Sequence, residues 1–200
     1  MKKLITVVAL VAALSLSLVS MAFAASGGLK LHPSGFGPKS QATWKGGQGL
    51  PDSSGNGKQA LYFQKMTTTA TVAAGVAMIN GVEGIEASEL TGLEWQHRND
   101  GHCGAGAPRW NIGLTDSNGQ DYNVFLGCAA AAHSPGSGAG WTRDTYSAAA
   151  IGAAVADPGD TVRYLAIIFD EGTDNGPGFV YLDNIKVNDQ VWTSATDNGN

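Results

Sequence analysis

Five tryptophans stand among the 200 residues, and an indole can stack on the apolar face of a pyranose while nearby Asn, Gln, Asp and Arg bond its hydroxyls. Their placement sorts them. Trp44, Trp141 and Trp192 lie beside Gly-, Ser- or Asp-rich stretches and are the expected ligand platforms, whereas Trp95 and Trp110 alternate with strand partners and are expected in the core. Acid–base chemistry would have to be built from Glu83, Glu86, Glu89, Glu94, Asp100, His97, His102 and His133. A retaining glycosidase needs two carboxyls about 5 Å apart on one face. Glutamates recurring every third residue, at 83, 86 and 89, fall on mixed faces of a strand and read as solvated charges. His97, His102 and His133 could gather beside Cys103 around zinc or copper, but their spacing matches no ligand motif. No nucleophile elbow, zincin helix, P-loop or dinucleotide fingerprint occurs.

The two cysteines, Cys103 and Cys128, bracket two alternating segments, Arg109 to Thr115 and Asp121 to Cys128, joined by Asp116-Ser117-Asn118-Gly119-Gln120. Asn-Gly in a polar gap between alternating runs predicts a hairpin. A disulfide between Cys103 and Cys128 would tie the chain entering that hairpin to its exit strand, provided the protein matures in an oxidising compartment. The N-terminus predicts such a route. Met1-Lys2-Lys3, the apolar stretch Leu4 to Val19 and the small-residue site Ala22-Phe23-Ala24 read as a signal peptide over residues 1–24. The apolar run is shorter than the ~20 residues of a bilayer span, and no later stretch approaches that length. The expectation is a secreted chain, extracellular or periplasmic, with no membrane contact once the signal is removed.

Composition agrees with that destination. Charged residues make up 14% of the chain and glycine 28 of its 200 positions, against typical shares of roughly 25% and ~7%, a profile of loop-rich β structure. The formal charge is −5, and losing Lys2 and Lys3 with the signal makes it more negative. No basic surplus is left to neutralise phosphates, which excludes nucleic acid as a partner.

The elements that must position these residues follow from period and punctuation. Residues 25–58 are rich in Gly, Pro, Ser, Lys and Gln and read as irregular, with one strand near Gln41 to Trp44. From residue 59 to 193 strand patterns recur with turns every 8 to 12 residues, as at Leu93, Trp95 and His97 against Glu94, Gln96 and Arg98. Helix competes only in the alanine-rich stretch Trp141 to Ala156, with Asp144 as a possible cap. Residues 194–200 form a polar tail. The fold class expected is all-β: a jelly-roll-like antiparallel β-sandwich with at most one short helix.

The last strong strand, Gly178-Phe179-Val180-Tyr181-Leu182-Asp183-Asn184-Ile185-Lys186-Val187-Asn188, pairs Val180 with Leu182 and Ile185 with Val187, three residues apart rather than two. Both pairs stay in the core only if the strand bulges at Asp183-Asn184. Over Ile168 to Asn188 the chain resembles the last strands of extracellular jelly-roll proteins of the carbohydrate-binding-module type. That resemblance implies a sandwich, and for Asp183 a part in holding a structural calcium. The chain departs from the pattern, since residues 25–45 carry no Asp or Glu to share the ion. Oxygens could come instead from Asp170, Glu171, Asp174 and Asn175, which crowd the preceding loop, making Asp170, Asp174 and Asp183 the candidate metal ligands. The alternative is that they form Asx-turns.

Together these features favour a secreted, non-catalytic module binding glycan or another extracellular polymer, with polysaccharide or cell-surface glycan as partner. A small polysaccharide-active hydrolase or lyase is one alternative, and a surface or matrix structural protein is another.

Overall fold

The structure, a computed structural model, describes residues 28–51 and 57–198. Predicted signal residues 1–24 lie outside the described residues. The strands divide between two antiparallel sheets. The first has the order β1 (Lys30–Phe36), β4 (Ala74–Asn80), β10 (Thr161–Phe169), β6 (Arg109–Thr115), β7 (Asp121–Gly127). The second runs β2 (Ser40–Lys45), β3 (Ala60–Lys65), β11 (Phe179–Val187), β5 (Gly92–Arg98), β9 (Trp141–Ser147), β8 (Ala132–Pro135), with β12 (Gln190–Trp192) beside β11. The described residues form a jelly-roll-like β-sandwich with one short α-helix, α1 (Ala148–Ala154).

Period two decides which side chains meet between the layers. Trp110, Ile112 and Leu114 of β6, Leu165 and Ile167 of β10 and Ile79 of β4 face Leu61 and Phe63 of β3, Val180 and Leu182 of β11, and Leu93 and Trp95 of β5, all fully buried. Trp95 and Trp110 stack across the gap with ring centroids 5.1 Å apart, a favourable offset geometry for aromatic pairs. The hairpin β6–β7 pairs Arg109 with Gly127 through Thr115 with Asp121. Gly119 turns it at φ +77°, a conformation that costs glycine little. Cys103 and Cys128 are bonded, their Cα atoms 5.3 Å apart. In β11 the register slips between Asp183 and Lys186 and Asn184 takes φ +46°. The bulge thus brings Ile185 and Val187 back to the core.

Two expectations are corrected. The segment read as irregular with one strand near Gln41 to Trp44 carries that strand as β2 and, unexpected, a second one, β1. β1 finds its partner 38 to 50 residues away in β4, so pairing rather than local propensity makes it a strand. The helix is shorter and later than its sequence window: Trp141–Ser147 is strand, and Ser147, whose hydroxyl accepts from the Ala150 N–H, is the cap instead of Asp144. Asp144 is fully buried, facing Trp95 across the β5–β9 pair. Its burial is incompatible with a solvated cap.

Candidate functional site

Alternation in the second sheet leaves one side chain in two pointing away from the core. Register places Thr43 opposite Tyr62, Tyr62 opposite Tyr181, and Arg98 opposite Trp141. The Arg98 guanidinium lies 3.8 Å from the Tyr181 ring centre, which joins these three pairs into one row across β2, β3, β11, β5 and β9. With strands about 4.8 Å apart, four steps span roughly 19 Å. Beside the row sits Phe179. The rings of Tyr62 and Tyr181 are 4.8 Å apart, Tyr62 and Phe179 6.2 Å, and Phe179 and Tyr181 6.0 Å. All three aromatics are half-buried, and exposed Lys45 stands 5.9 Å from the Tyr62 ring centre.

Polar groups frame these rings. The Tyr62 hydroxyl donates to Gln64 Oε1 at 3.0 Å, and Gln64 Nε2 donates to the Lys39 carbonyl. Burial, with the charge of Tyr181 second, pushes the Tyr62 phenol above its ordinary value of 10.0, so it remains a neutral hydroxyl. Arg98 is held on two sides: its Nε and Nη2 donate to the Asp100 carboxylate, and its Nη1 donates to Gln48 Oε1 at 2.8 Å. Where the row ends, the segment before residue 52 folds over it. Leu50 packs with Ala60, Trp141 and Tyr181, and its N–H donates to Asp183 Oδ2 at 2.7 Å.

None of the three tryptophans expected as platforms offers an open ring. Trp192 is fully buried in the core, Trp44 faces inward opposite Leu61 and is half-buried against the core, and Trp141, on the outer face, is covered by Leu50 at 9% exposure. The aromatic surface comes from Tyr62, Phe179 and Tyr181 instead. Its signal was present in the sequence: these rings are out of phase with the core residues Leu61, Phe63, Val180 and Leu182.

The candidate metal ligands do not converge. Asp170 is gripped by the two Nη atoms of Arg109 at 2.5 and 2.7 Å, and Asp174 Oδ1 accepts from the Thr69 N–H and hydroxyl. Asp183, buried at the bulge, accepts from the N–H groups of Leu50 and Asn184. Lys65 joins Gly178 to the Asp170 carbonyl, and Asp183 lies five residues further along β11, roughly 16 Å away at strand rise. Carboxylates so separated, and engaged with N–H donors, do not fit one calcium site. Glu171 pairs with His102 at 2.5 Å and Asn175 donates to the Thr69 hydroxyl.

The carboxylates considered for catalysis have structural partners as well. Glu86 and Glu89 form a capping box on the 3₁₀ turn Ala87–Glu89, Glu83 accepts from the Gly81 N–H, Glu94 faces Arg143 and Asp100 holds Arg98. His97 and His133 share Asp144. A cleft of about 490 Å³ opens where Leu29, Val82, Ile85, Leu90 and Val187 meet, and no residue of the aromatic row lines it. Among the described residues no helix is long and apolar enough to cross a membrane.

No family model matches the chain, and no curated protein matches it. Solved structures do align with it. The family 30 carbohydrate-binding module of a cellulosomal cellulase from Clostridium thermocellum aligns with TM-score 0.47 and 16% identity over 80% of this chain and 93% of that one. The family 11 module of the same organism, solved with a β-1,3-1,4-mixed-linked tetrasaccharide, aligns with TM-score 0.43 and 13% identity over 81% and 90%. The likeness is one of fold.

Proposed function

We propose that this chain is a secreted, non-catalytic module that binds polysaccharide along the outer face of its second sheet. One observation carries the reading: Tyr62, Phe179 and Tyr181 cluster half-exposed on the side of the sheet where alternation ordinarily places polar residues. A cluster of rings with centres 4.8 to 6.2 Å apart offers apolar faces to successive sugar units, and Gln41, Thr43, Gln64 and Lys45 stand beside it to bond hydroxyls. Arg98, fixed by Asp100 and Gln48, and Trp141 beneath Leu50 bound the face at its far end. The disulfide is compatible with an extracellular protein.

The test is retention of the purified chain on insoluble cellulose and in gels containing soluble glucans, xylan or mannan, comparing wild type with the Tyr62→Ala, Phe179→Ala double variant. Two rings at about 1 kcal/mol each predict a loss of roughly 30-fold in affinity, with folding checked by thermal melt. Equal retention of wild type and variant on every polymer that binds, or no binding to any, removes the proposal. Release of reducing ends would move the chain to the hydrolase alternative.

A further inference from the structure

On the core side of the second sheet, at its β9 end, four potential ligand groups meet: His97 from β5, Asp144 from β9, and Cys103 and Cys128 of the disulfide. One ligand atom from each lies within 4.8 Å of all the others. Asp144 is fully buried and His97 is 7% exposed. The distances are those of a coordination shell as much as of a packed core. Cys128 Sγ is 3.8 Å from His97 Nδ1 and 3.7 Å from Asp144 Oδ2. In a tetrahedral zinc site with Zn–S about 2.3 Å and Zn–N or Zn–O about 2.0 to 2.2 Å, the edges between ligand atoms are about 3.4 to 3.8 Å. The edges from Cys128 to His97 and Asp144 therefore have their final length, while the His97–Asp144 contact of 2.5 Å must open by about 1 Å and the two sulfurs, bonded to each other in the disulfide, must part to reach such an edge.

The carboxylate is also braced from behind. Trp95 Nε1 donates to Asp144 Oδ2 at 2.8 Å, and His133 Nδ1 meets Asp144 Oδ1 at 2.7 Å. Outer partners of this kind orient a ligating carboxylate.

We propose that reducing the Cys103–Cys128 disulfide converts this corner into a four-ligand site for zinc(II), held by the two cysteine sulfurs, His97 Nδ1 and one Asp144 oxygen. A small dithiol supplies two electrons and two protons, leaving the Cys103 and Cys128 thiols and its own cyclic disulfide. Zinc(II) then displaces one proton from each thiol to solvent. Coordination through Nδ1 requires the His97 ring hydrogen on Nε2, so the contact of Nδ1 with Asp144 gives way to the metal. Without a cation, two thiolates beside the buried Asp144 carboxylate would gather three negative charges in the core, which is strongly unfavourable. With zinc(II), the pair of sulfurs, one nitrogen and one oxygen is a borderline-soft set that suits this ion and not calcium or magnesium. In the oxidised chain the sulfurs are spent on each other, so thiol state gates the site.

The experiment titrates cobalt(II), as a zinc probe, into the full chain under anaerobic conditions, before and after reduction by a dithiol that is then removed. The expected result is a thiolate-to-cobalt absorption band and intense tetrahedral bands that saturate at one ion per reduced chain, bleached by zinc(II), and no band from the oxidised chain. Circular dichroism of the reduced, cobalt-loaded chain should retain its β spectrum. His97→Gln, which leaves both thiols in place, should weaken cobalt binding at least tenfold, and replacing Cys103 and Cys128 together by serine should abolish the charge-transfer band. A reduced chain that keeps its fold and takes up no cobalt overturns the proposal. So does equal affinity in His97→Gln, or binding of the same strength by the chain unfolded in urea, because coordination would then not depend on this geometry.

Discussion

Asp183 distinguishes a structural strut from an ion ligand, and its removal has a calculable cost. Its carboxylate accepts from the Leu50 N–H at 2.7 Å and the Asn184 N–H at 2.6 Å while 2% exposed. The bond to Asn184 spans one residue and contributes little to folding, since it can form in the unfolded chain. The bond to Leu50 crosses 133 positions and ties down the segment covering Ala60 and Trp141. A hydrogen bond to a charged group contributes about 1.5 to 3 kcal/mol, and loosening Leu50 from its small cluster adds about 1 kcal/mol of lost burial. Asp183→Ala should therefore destabilise the domain by about 3 kcal/mol, which at about 2 to 4 °C per kcal/mol lowers Tm by about 6 to 12 °C. The assay is calorimetric melting of wild type and variant, each with calcium and with a chelator. Wild type should melt at one temperature in both. A chelator-induced fall that calcium reverses would make Asp183 an ion ligand, and a variant melting like wild type would show that the Leu50 tether carries no load; either result refutes the reasoning.

Replacing Cys103 and Cys128 together by serine frees a loop whose ends are 25 residues apart, and the chain-entropy relation gives a loss of about 3.5 kcal/mol, readable as a lower urea midpoint. Gly127→Ala places a Cβ 2.0 Å from the Ala105 carbonyl oxygen, backbone that cannot swing aside, so a loss of about 2 kcal/mol is expected by chemical denaturation. Hydrogen bonds from the Thr69 backbone and hydroxyl hold the Asp174 carboxyl below its ordinary 3.8. Its contribution to stability is thus present above that value and lost as pH falls through the lower, folded one. Wild type should lose urea resistance as pH falls below about 4 more steeply than Asp174→Asn, and parallel curves would contradict this.

The parts of the fold set by local rules were legible in the sequence. The β6–β7 hairpin follows from alternation around Asn118-Gly119, the bulge from the three-residue offset between Leu182 and Ile185, and the core positions of Trp95 and Trp110 from their phase. What failed depends on distant partners. β1 contains Pro33, Ser34 and Gly35 and has no strand signature of its own, yet it pairs along its whole length with β4. Trp192 sits beside polar residues in sequence but opposite Ile185 in space, and that contact buries it. The aromatic face was missed because flanking loop composition was weighed over strand phase, although Tyr62, Phe179 and Tyr181 alternate visibly with their buried neighbours. Asp144 looked like a cap because Asp favours that position; only the arrival of Trp95, His97 and His133 around it makes burial tolerable.

The rim of the second sheet bears on behaviour in a crowd. β8, its outermost strand, spans only Ala132–Pro135 and all its residues are exposed. An incoming strand would find four residues to dock on, one of them a proline with no N–H to give. Strand-by-strand joining of copies through this edge is thereby disfavoured.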